Sequence, residues 1–414
     1  MRLSTGRWVS GDDFFDRESE LRVLKARVRD GNHVLLTGQR RMGKTSIARE
    51  LGRRLEAEGW IFLFTDVEGA TCPEDAIADI ARAVHPVRAI SSRFATTMKR
   101  WLTERLEEIS ALDFGLKIRA GLNVGSWRRH GGELLQACAS HDKPVLLVID
   151  ELPIFLKRML RHEDGPRQVD EFLSWLRAEL QRVEAGSLVV IVSGSIGLGP
   201  LVTRLGIPDR INHLDPIRLG PWDRETSAAC FRRLAESSGL RFDEGVPGAV
   251  YEALGIGIPH HVQSFFARLR DFATIRGREF LTGEDVSEVY RADLLGPSGQ
   301  NDLVHYETRL KDGLDDPSYS IAMEILAEAS TQRRFSQAAR RQLTHIYSVV
   351  VADARGRIAD VLEVLTHDGY LETGEDGFRF PSHLLRDWWA ARFRDHHSPL
   401  ASRRRKDRSS GEAR

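Results

Sequence analysis

The stretch Gly38-Gln39-Arg40-Arg41-Met42-Gly43-Lys44-Thr45 constrains this chain more than any other, because it fits the pattern GxxxxGK[ST]. Each element of the pattern has a physical purpose. The glycines let successive backbone N–H groups turn inward around a phosphate. A helix beginning near Lys44 aims the positive end of its dipole at the same point. The lysine supplies a mobile charge for the β- and γ-phosphates, and the Thr45 hydroxyl offers an oxygen to Mg²⁺. The flanks agree with the motif: a strand-like run, HVLLT, feeds the loop, and an amphipathic segment, TSIARELGRRLEAEG, leaves it. A strand, a phosphate-binding turn and a helix require an α/β fold built on a parallel sheet.

A second apolar run, Val145-Leu146-Leu147-Val148-Ile149, ends in Asp150-Glu151. Open α/β sheets place their ligands at such strand ends. Following a P-loop at this distance, the pair reads as a Walker B: Asp150 would hold Mg²⁺ through a water, and Glu151 would polarise an attacking water as general base. A third run, Val190-Ile191-Val192, ends in Ser193-Gly194-Ser195 and suits a strand between the other two. A hydroxyl there, from Ser193 or Ser195 with Ser195 preferred, would reach the γ-phosphate or the water. The expected nucleotide contacts are therefore Gly38, Gln39, Arg40, Arg41, Met42, Gly43, Lys44, Thr45 and Ser46, with Lys44, Glu151 and Ser195 catalytic and Thr45 and Asp150 at the metal.

The remaining chain divides by pattern. Residues 12–220 alternate strands and helices, with strands predicted at His33–Thr37, Ile61–Val67, Val145–Ile149 and Leu188–Val192, and helices covering both faces of the sheet. An insert of about residues 68–143 separates the second and third strands. It contains predicted helices at Pro73–Val84 and Thr97–Ile109 and a stretch, DFGLKIRAGLNVGSW, that alternates around glycines and reads as a hairpin or extended flap. Residues 221–295 read as a helical lid. Residues 318–395 read helix, helix, helix, hairpin, helix, the order of a winged helix. Residues 396–414 are polar and include Arg403-Arg404-Arg405-Lys406, which predicts a disordered basic tail.

Charge and cysteine content exclude whole classes of function. Sixty Lys+Arg balance sixty Asp+Glu, so the chain is neither a basic nucleic-acid coat nor an acidic solvating polymer. The three cysteines, Cys72, Cys138 and Cys230, are far apart and form no CxxC, so neither a zinc site nor a disulfide framework is encoded. With no apolar signal segment and no run long enough to span a bilayer, the expected location is cytoplasmic, without membrane contact.

These blocks resemble the archaeal-type ATPase family among the STAND and AAA-like P-loop ATPases. Phe15-Asp16-Arg17-Glu18-Ser19-Glu20-Leu21 is similar to the family's opening F-x-R-E-x-E-L, which implies that Arg17 lies beside the adenine. GQRRMGKTS, Asp150-Glu151-Leu152-Pro153, Ser193-Gly194-Ser195, Gly255-Ile256-Gly257-Ile258-Pro259 and Leu384-Leu385-Arg386-Asp387-Trp388-Trp389 resemble its later blocks in order. Ile256 stands where a second glycine is usual in the lid block. Arg210 is similar in position to an arginine the family often carries; a surface arginine reads equally well there. The resemblance implies ATP and Mg²⁺ as cofactors, hydrolysis to ADP and phosphate, and a nucleotide-driven switch acting on a protein partner or on a second copy.

The alternative is a DNA-associated ATPase whose winged helix docks duplex. Residues 318–395 carry ten Arg and no Lys against eleven Asp+Glu. The helix before the wing holds Asp360, Glu363 and Asp368 beside Arg357. Duplex binding needs a basic face, so DNA is the disfavoured partner. A third reading, a binding-only switch with negligible turnover, is opposed by the intact Glu151.

Overall fold

Val145–Asp150 is buried along its whole length, which a strand covered on both faces requires. It is β3 of a parallel sheet with β1 (Val34–Gly38), β2 (Ile61–Asp66), β4 (Leu188–Ser193) and β5 (Asp215–Leu219), in the order β2-β3-β4-β1-β5. The serine-ended strand β4 thus lies between the P-loop strand and the Asp150 strand, as its sequence position predicts. The computed structural model describes residues 1–97, 110–194 and 197–403, and the chain divides into two compact units, Met1–Pro221 and Trp222–Arg414.

The helices of the first unit follow from their apolar spacing. They are α1 (Glu18–Arg29), α2 (Lys44–Glu56), α3 (Pro73–Val84), α4 (Arg88–Thr97), α5 (Ala111–Gly121), α6 (Trp127–Ala139), α7 (Leu152–Met159), α8 (Gly165–Arg182) and α9 (Leu198–Arg204). α3 starts on a proline and carries Glu74 and Asp75 in its first turn, where the helix dipole favours both. α8 buries Val169, Phe172, Leu173, Leu176 and Leu180 on one face. These side chains join those of β3 and β4 in one core with Leu134, Leu156 and Phe155.

The insert departs from expectation. The stretch from Asp113 is neither a hairpin nor an extended flap; it forms helix α5, capped by the Ser110 side chain, which accepts a hydrogen bond from the Asp113 N–H. Phe114, Ile118 and Leu122 are buried and recur every four residues, so helical burial overrides the glycine-centred alternation. α5 packs on α3, and Arg119 pairs with Asp75 across the contact. The helix expected over Thr97–Ile109 lies almost wholly outside the described residues.

The second unit begins with α10 (Arg224–Ser238), N-capped by Asp223. It continues through β6 (Arg241–Phe242), α11 (Val246–Leu254), α12 (Pro259–Ile275), β7 (Phe280–Leu281), α13 (Gly283–Val289), α14 (Pro297–Gly313) and α15 (Asp316–Thr331). It then runs through β8 (Phe335–Ser336), α16 (Gln337–Tyr347), α17 (Ala354–His367), β9 (Glu372–Gly374), β10 (Gly377–Arg379) and α18 (His383–Phe393). β8, β10 and β9 form a small antiparallel sheet. Tyr370 and Leu371, just before β9, are buried, and the Tyr370 hydroxyl donates to the Tyr306 carbonyl at 2.8 Å. Trp388 and Trp389 are buried in α18 against each other, at 4.7 Å between ring centroids. Packed chain continues through Arg403, into the segment whose composition predicts a tail. His397 meets Glu328 at 2.7 Å, Leu400 is fully buried, and Arg403 pairs with Glu324. Residues 404–414 lie outside the described residues. Among the described residues no helix is long and apolar enough to cross a membrane.

Candidate functional site

The C-terminal ends of β1, β3 and β4 bring the predicted residues together. Leaving β1, the loop reaches Gly43, whose φ of 87° is a left-handed conformation that glycine adopts without penalty. α2 starts at the next residue, so the first N–H groups of a helix of thirteen residues open onto the loop. Met42 is buried beneath it. Lys44 is 6% exposed and folds back over the loop, its Nζ donating to the carbonyls of Gly38 at 2.8 Å and Gln39 at 3.0 Å. Arg41 follows a φ of 68°, so the loop is a run of sharp turns rather than extended chain.

Thr45 and Asp150 meet directly: the threonine Oγ1 donates to Asp150 Oδ2 at 2.7 Å. The other carboxylate oxygen, Oδ1, accepts from the Ser193 hydroxyl and from the Glu151 N–H at 3.0 Å. Asp150 is 3% exposed, and hydroxyl and amide donors hold it in one orientation. With Thr45 it makes a hard, all-oxygen donor set, which fits Mg²⁺ rather than a softer metal.

Glu151 adopts φ 56°, a left-handed conformation unusual outside glycine, at the junction of β3 and α7. Such local strain is typical of positions where a side chain must be aimed. Its carboxylate lies beside Gly194: a β-carbon placed there would stand 3.7 Å from Glu151 Oε2 and 2.3 Å from Pro153 Cδ. The Asp-Glu-Leu-Pro and Ser-Gly blocks, read separately in the sequence, are therefore two sides of one contact.

The remaining predicted contacts divide. Ser46 turns its hydroxyl to accept the N–H of Val9 at 3.1 Å, so an N-terminal segment is fastened to the P-loop helix. Arg17 is 6% exposed, and its guanidinium donates to Glu20 at 2.7 Å and to the Gly220 carbonyl at 2.7 Å. Ser195 lies outside the described residues, and the serine seen at the site is Ser193. Arg210 pairs with Asp170 at 2.6 Å and with Asp209.

Sequence reasoning missed Asp66 and Arg49. Asp66 ends β2 in register with Asp150. Partial desolvation at the sheet end raises its carboxyl above the ordinary value, and the charges of Asp150, Glu68 and Glu151 add to the shift. The signal was present, since FLFTD is an apolar strand ending in an acid, but no motif distinguishes it. Arg49, one turn after Thr45 on α2, lies over the rings of Trp8 and Phe64 at 4.1 and 3.8 Å from their centroids. Nothing in its sequence neighbourhood marks it.

Residues 13–161 match the AAA ATPase domain family. Among curated proteins no sequence matches the chain. Among solved structures, the chain is similar to the Walker-type ATPase PABY2304 of Pyrococcus abyssi, at 16% identity and a TM-score of 0.59, over 94% of this chain and 99% of that one. It is also similar to the Aeropyrum pernix ORC2 protein, solved as ADPNP–ADP complexes, at 15% identity and a TM-score of 0.57, over 93% of this chain and 96% of that one. At such identities the likeness is one of fold.

Proposed function

We propose that this chain, whose residues 13–161 match the AAA ATPase domain family, binds ATP and hydrolyses it to ADP and phosphate as an AAA/STAND-like switch. The observation that carries this reading is the Thr45–Asp150 hydrogen bond, which joins the two cation-side residues beside the Lys44 cradle. Lys44 exchanges its two carbonyl partners for the β- and γ-phosphates, and the α2 N-terminus supports the same anion. Thr45, and Asp150 through a water, are the residues that would hold Mg²⁺, which when bound neutralises charge on the phosphate oxygens. Ser193 and the Glu151 N–H keep Asp150 in orientation. Glu151, aimed over Gly194, orients the attacking water and accepts its proton. Ser195, which lies outside the described residues, keeps the role of γ-phosphate or water contact that its sequence position suggests, and Arg17 approaches the adenine once its bonds to Glu20 and Gly220 rearrange.

In this reading residues 318–395 are a winged helix used for protein contacts, and turnover changes how the two units are held. The exposed positions of α17 include Asp360 and Glu363, and Arg357 is committed to Asp315 and Ser318, which supports protein packing over duplex binding. The partner is a protein or a second copy of the chain.

The test is a pair of variants. Lys44→Ala should abolish binding of a fluorescent ATP analogue. Glu151→Gln should keep the analogue and lose phosphate release by about a hundredfold or more. Unchanged phosphate release in Glu151→Gln removes the base assignment. Binding of a labelled duplex that weakens steeply with salt would move the reading to the DNA-associated alternative.

A further inference from the structure

The N-terminal segment and the P-loop helix share a set of contacts that the hydrolysis reading does not use. Val9 N–H donates to Ser46 Oγ at 3.1 Å, and Gly11 N–H donates to Glu50 Oε2 at 2.8 Å. These two residues of α2 are one turn apart, so residues 9–11 run along the helix as a strap. The strap brings the Trp8 ring to the Arg49 guanidinium, which also lies over the Phe64 ring. Phe64 and Asp66 are two apart on β2 and so share a face of the sheet. Arg49 Nε is buried without a hydrogen-bond partner, and among the described residues no ion pair of Arg49 is formed. The guanidinium is held by two π-faces, with its charge felt at Asp150 and Asp66.

The geometry points to Arg49 as a tethered counter-charge: held against the Trp8 and Phe64 rings, it offsets Asp66 and Asp150 before nucleotide arrives, and so keeps a bare divalent cation from settling at the site. The charge balance supports this. Asp66, Asp150 and Glu151 end two adjacent strands, and without an opposing charge they would attract a divalent ion on their own. Arg49 and Lys44 repel such an ion. A triphosphate brings enough negative charge to reverse the balance, so cation and nucleotide enter together. Arg49 is then a positioning residue that acts through field, and it touches neither substrate nor cation. The inference rests on the proposed nucleotide site.

The experiment is a titration of the nucleotide-free full chain with Mn²⁺ alone at low ionic strength, read by electron paramagnetic resonance. A unit charge opposing a divalent ion across a partly screened gap changes affinity by about fivefold. Arg49→Met should therefore bind Mn²⁺ about fivefold more tightly than wild type, and Arg49→Lys, which keeps the charge, should stay within about twofold of wild type. Trp8→Ala, which frees the guanidinium without removing it, should shift in the same direction by less. Arg49→Met binding no tighter than wild type overturns the proposal, as does Arg49→Lys binding as tightly as Arg49→Met. If circular dichroism shows Arg49→Met unfolded, the Trp8→Ala titration decides: unchanged affinity there overturns it. Wild-type binding of a fluorescent ATP analogue with Mg²⁺ is measured alongside. Its absence sinks the nucleotide site itself, whereas its presence with indistinguishable Mn²⁺ affinities sinks only the role of Arg49.

Discussion

Gly194 passes so close under Pro153 that a β-carbon on it would stand 2.3 Å from the proline Cδ. Gly194 follows the strand that orients Asp150, and Pro153 lies in the first turn of the helix that follows Glu151. The pair therefore fixes the spacing between the two strand ends on which the chemistry depends.

Gly194→Ala should force α7 away from the end of β4 and carry Glu151 with it. Overpacking of this kind costs about 1–3 kcal/mol, readable as a lowered urea midpoint. Phosphate release should fall further than the stability change explains, while binding of an ATP analogue persists. Equal turnover in Gly194→Ala and wild type would show that the contact does not position Glu151.

Ser193 is fully buried and donates to Asp150 Oδ1. Ser193→Ala removes one of the donors on that oxygen, and an under-satisfied buried acceptor costs about 1–3 kcal/mol. The expected result is a loss of stability together with weaker Mg²⁺ dependence of nucleotide binding, followed by titrating Mg²⁺ against a fixed analogue. Ser195→Ala, by contrast, should leave stability unchanged and lower only phosphate release. The reverse pattern would overturn the assignment of these roles to the two serines.

The P-loop, the acid-ended strand and the order of strands around them are legible in the sequence because each is local. A phosphate cradle needs its glycines and lysine at fixed spacing, and a strand buried on both faces is a continuous apolar run. Asp66 is a different case. It ends a strand much as Asp150 does, and only the parallel register of β2 on β3 makes the two neighbours. Arg49 and Trp8 are separated by most of the N-terminal segment, α1 and β1, so their stacking follows from how the chain returns to α2. α5 was misread for another reason: its glycines suggested turns, whereas Phe114 and Ile118 obey helical spacing and find α3 to pack against. Ser193 and Ser195 could not be separated by pattern, since both follow the same apolar run.

Glu50 is the anchor of the N-terminal strap. Burial works against its charge, but hydrogen bonds from Arg53, the Gly11 N–H and Arg54 outweigh that penalty and hold the carboxyl at about 2. A carboxylate whose folded pKa is depressed contributes stability that is complete above its unfolded value, near 4.5, and is lost as pH falls toward 2. Glu50→Gln should cost about 1–3 kcal/mol at neutral pH and should flatten the acid limb of the stability profile in that window. It should also loosen residues 9–11, seen as faster amide exchange at Gly11.

His213 governs the milder pH range. Both of its ring nitrogens are buried without a hydrogen-bond partner, and it packs edge-on against His33 at 6.4 Å between centroids. His33 in turn accepts the Val190 N–H at Nδ1, 3.1 Å away. Burial first, then the neighbouring His33 and Arg177, push His213 down from 6.5 to about 4. Burial lowers His33 as well. The folded chain thus keeps the His213 ring neutral at pH values where the unfolded chain protonates it, so its contribution is complete above about pH 6.5 and declines as pH falls toward 4. Urea midpoints should be flat from pH 8 to 7 and then drop between pH 6.5 and 5, before most carboxylates titrate. His213→Phe keeps the ring packing and removes the ionisation, so it should be more stable than wild type at pH 5, with the difference shrinking at pH 8. A difference that does not change with pH would mean that the substitution acts through packing alone and that His213 does not set the acid slope.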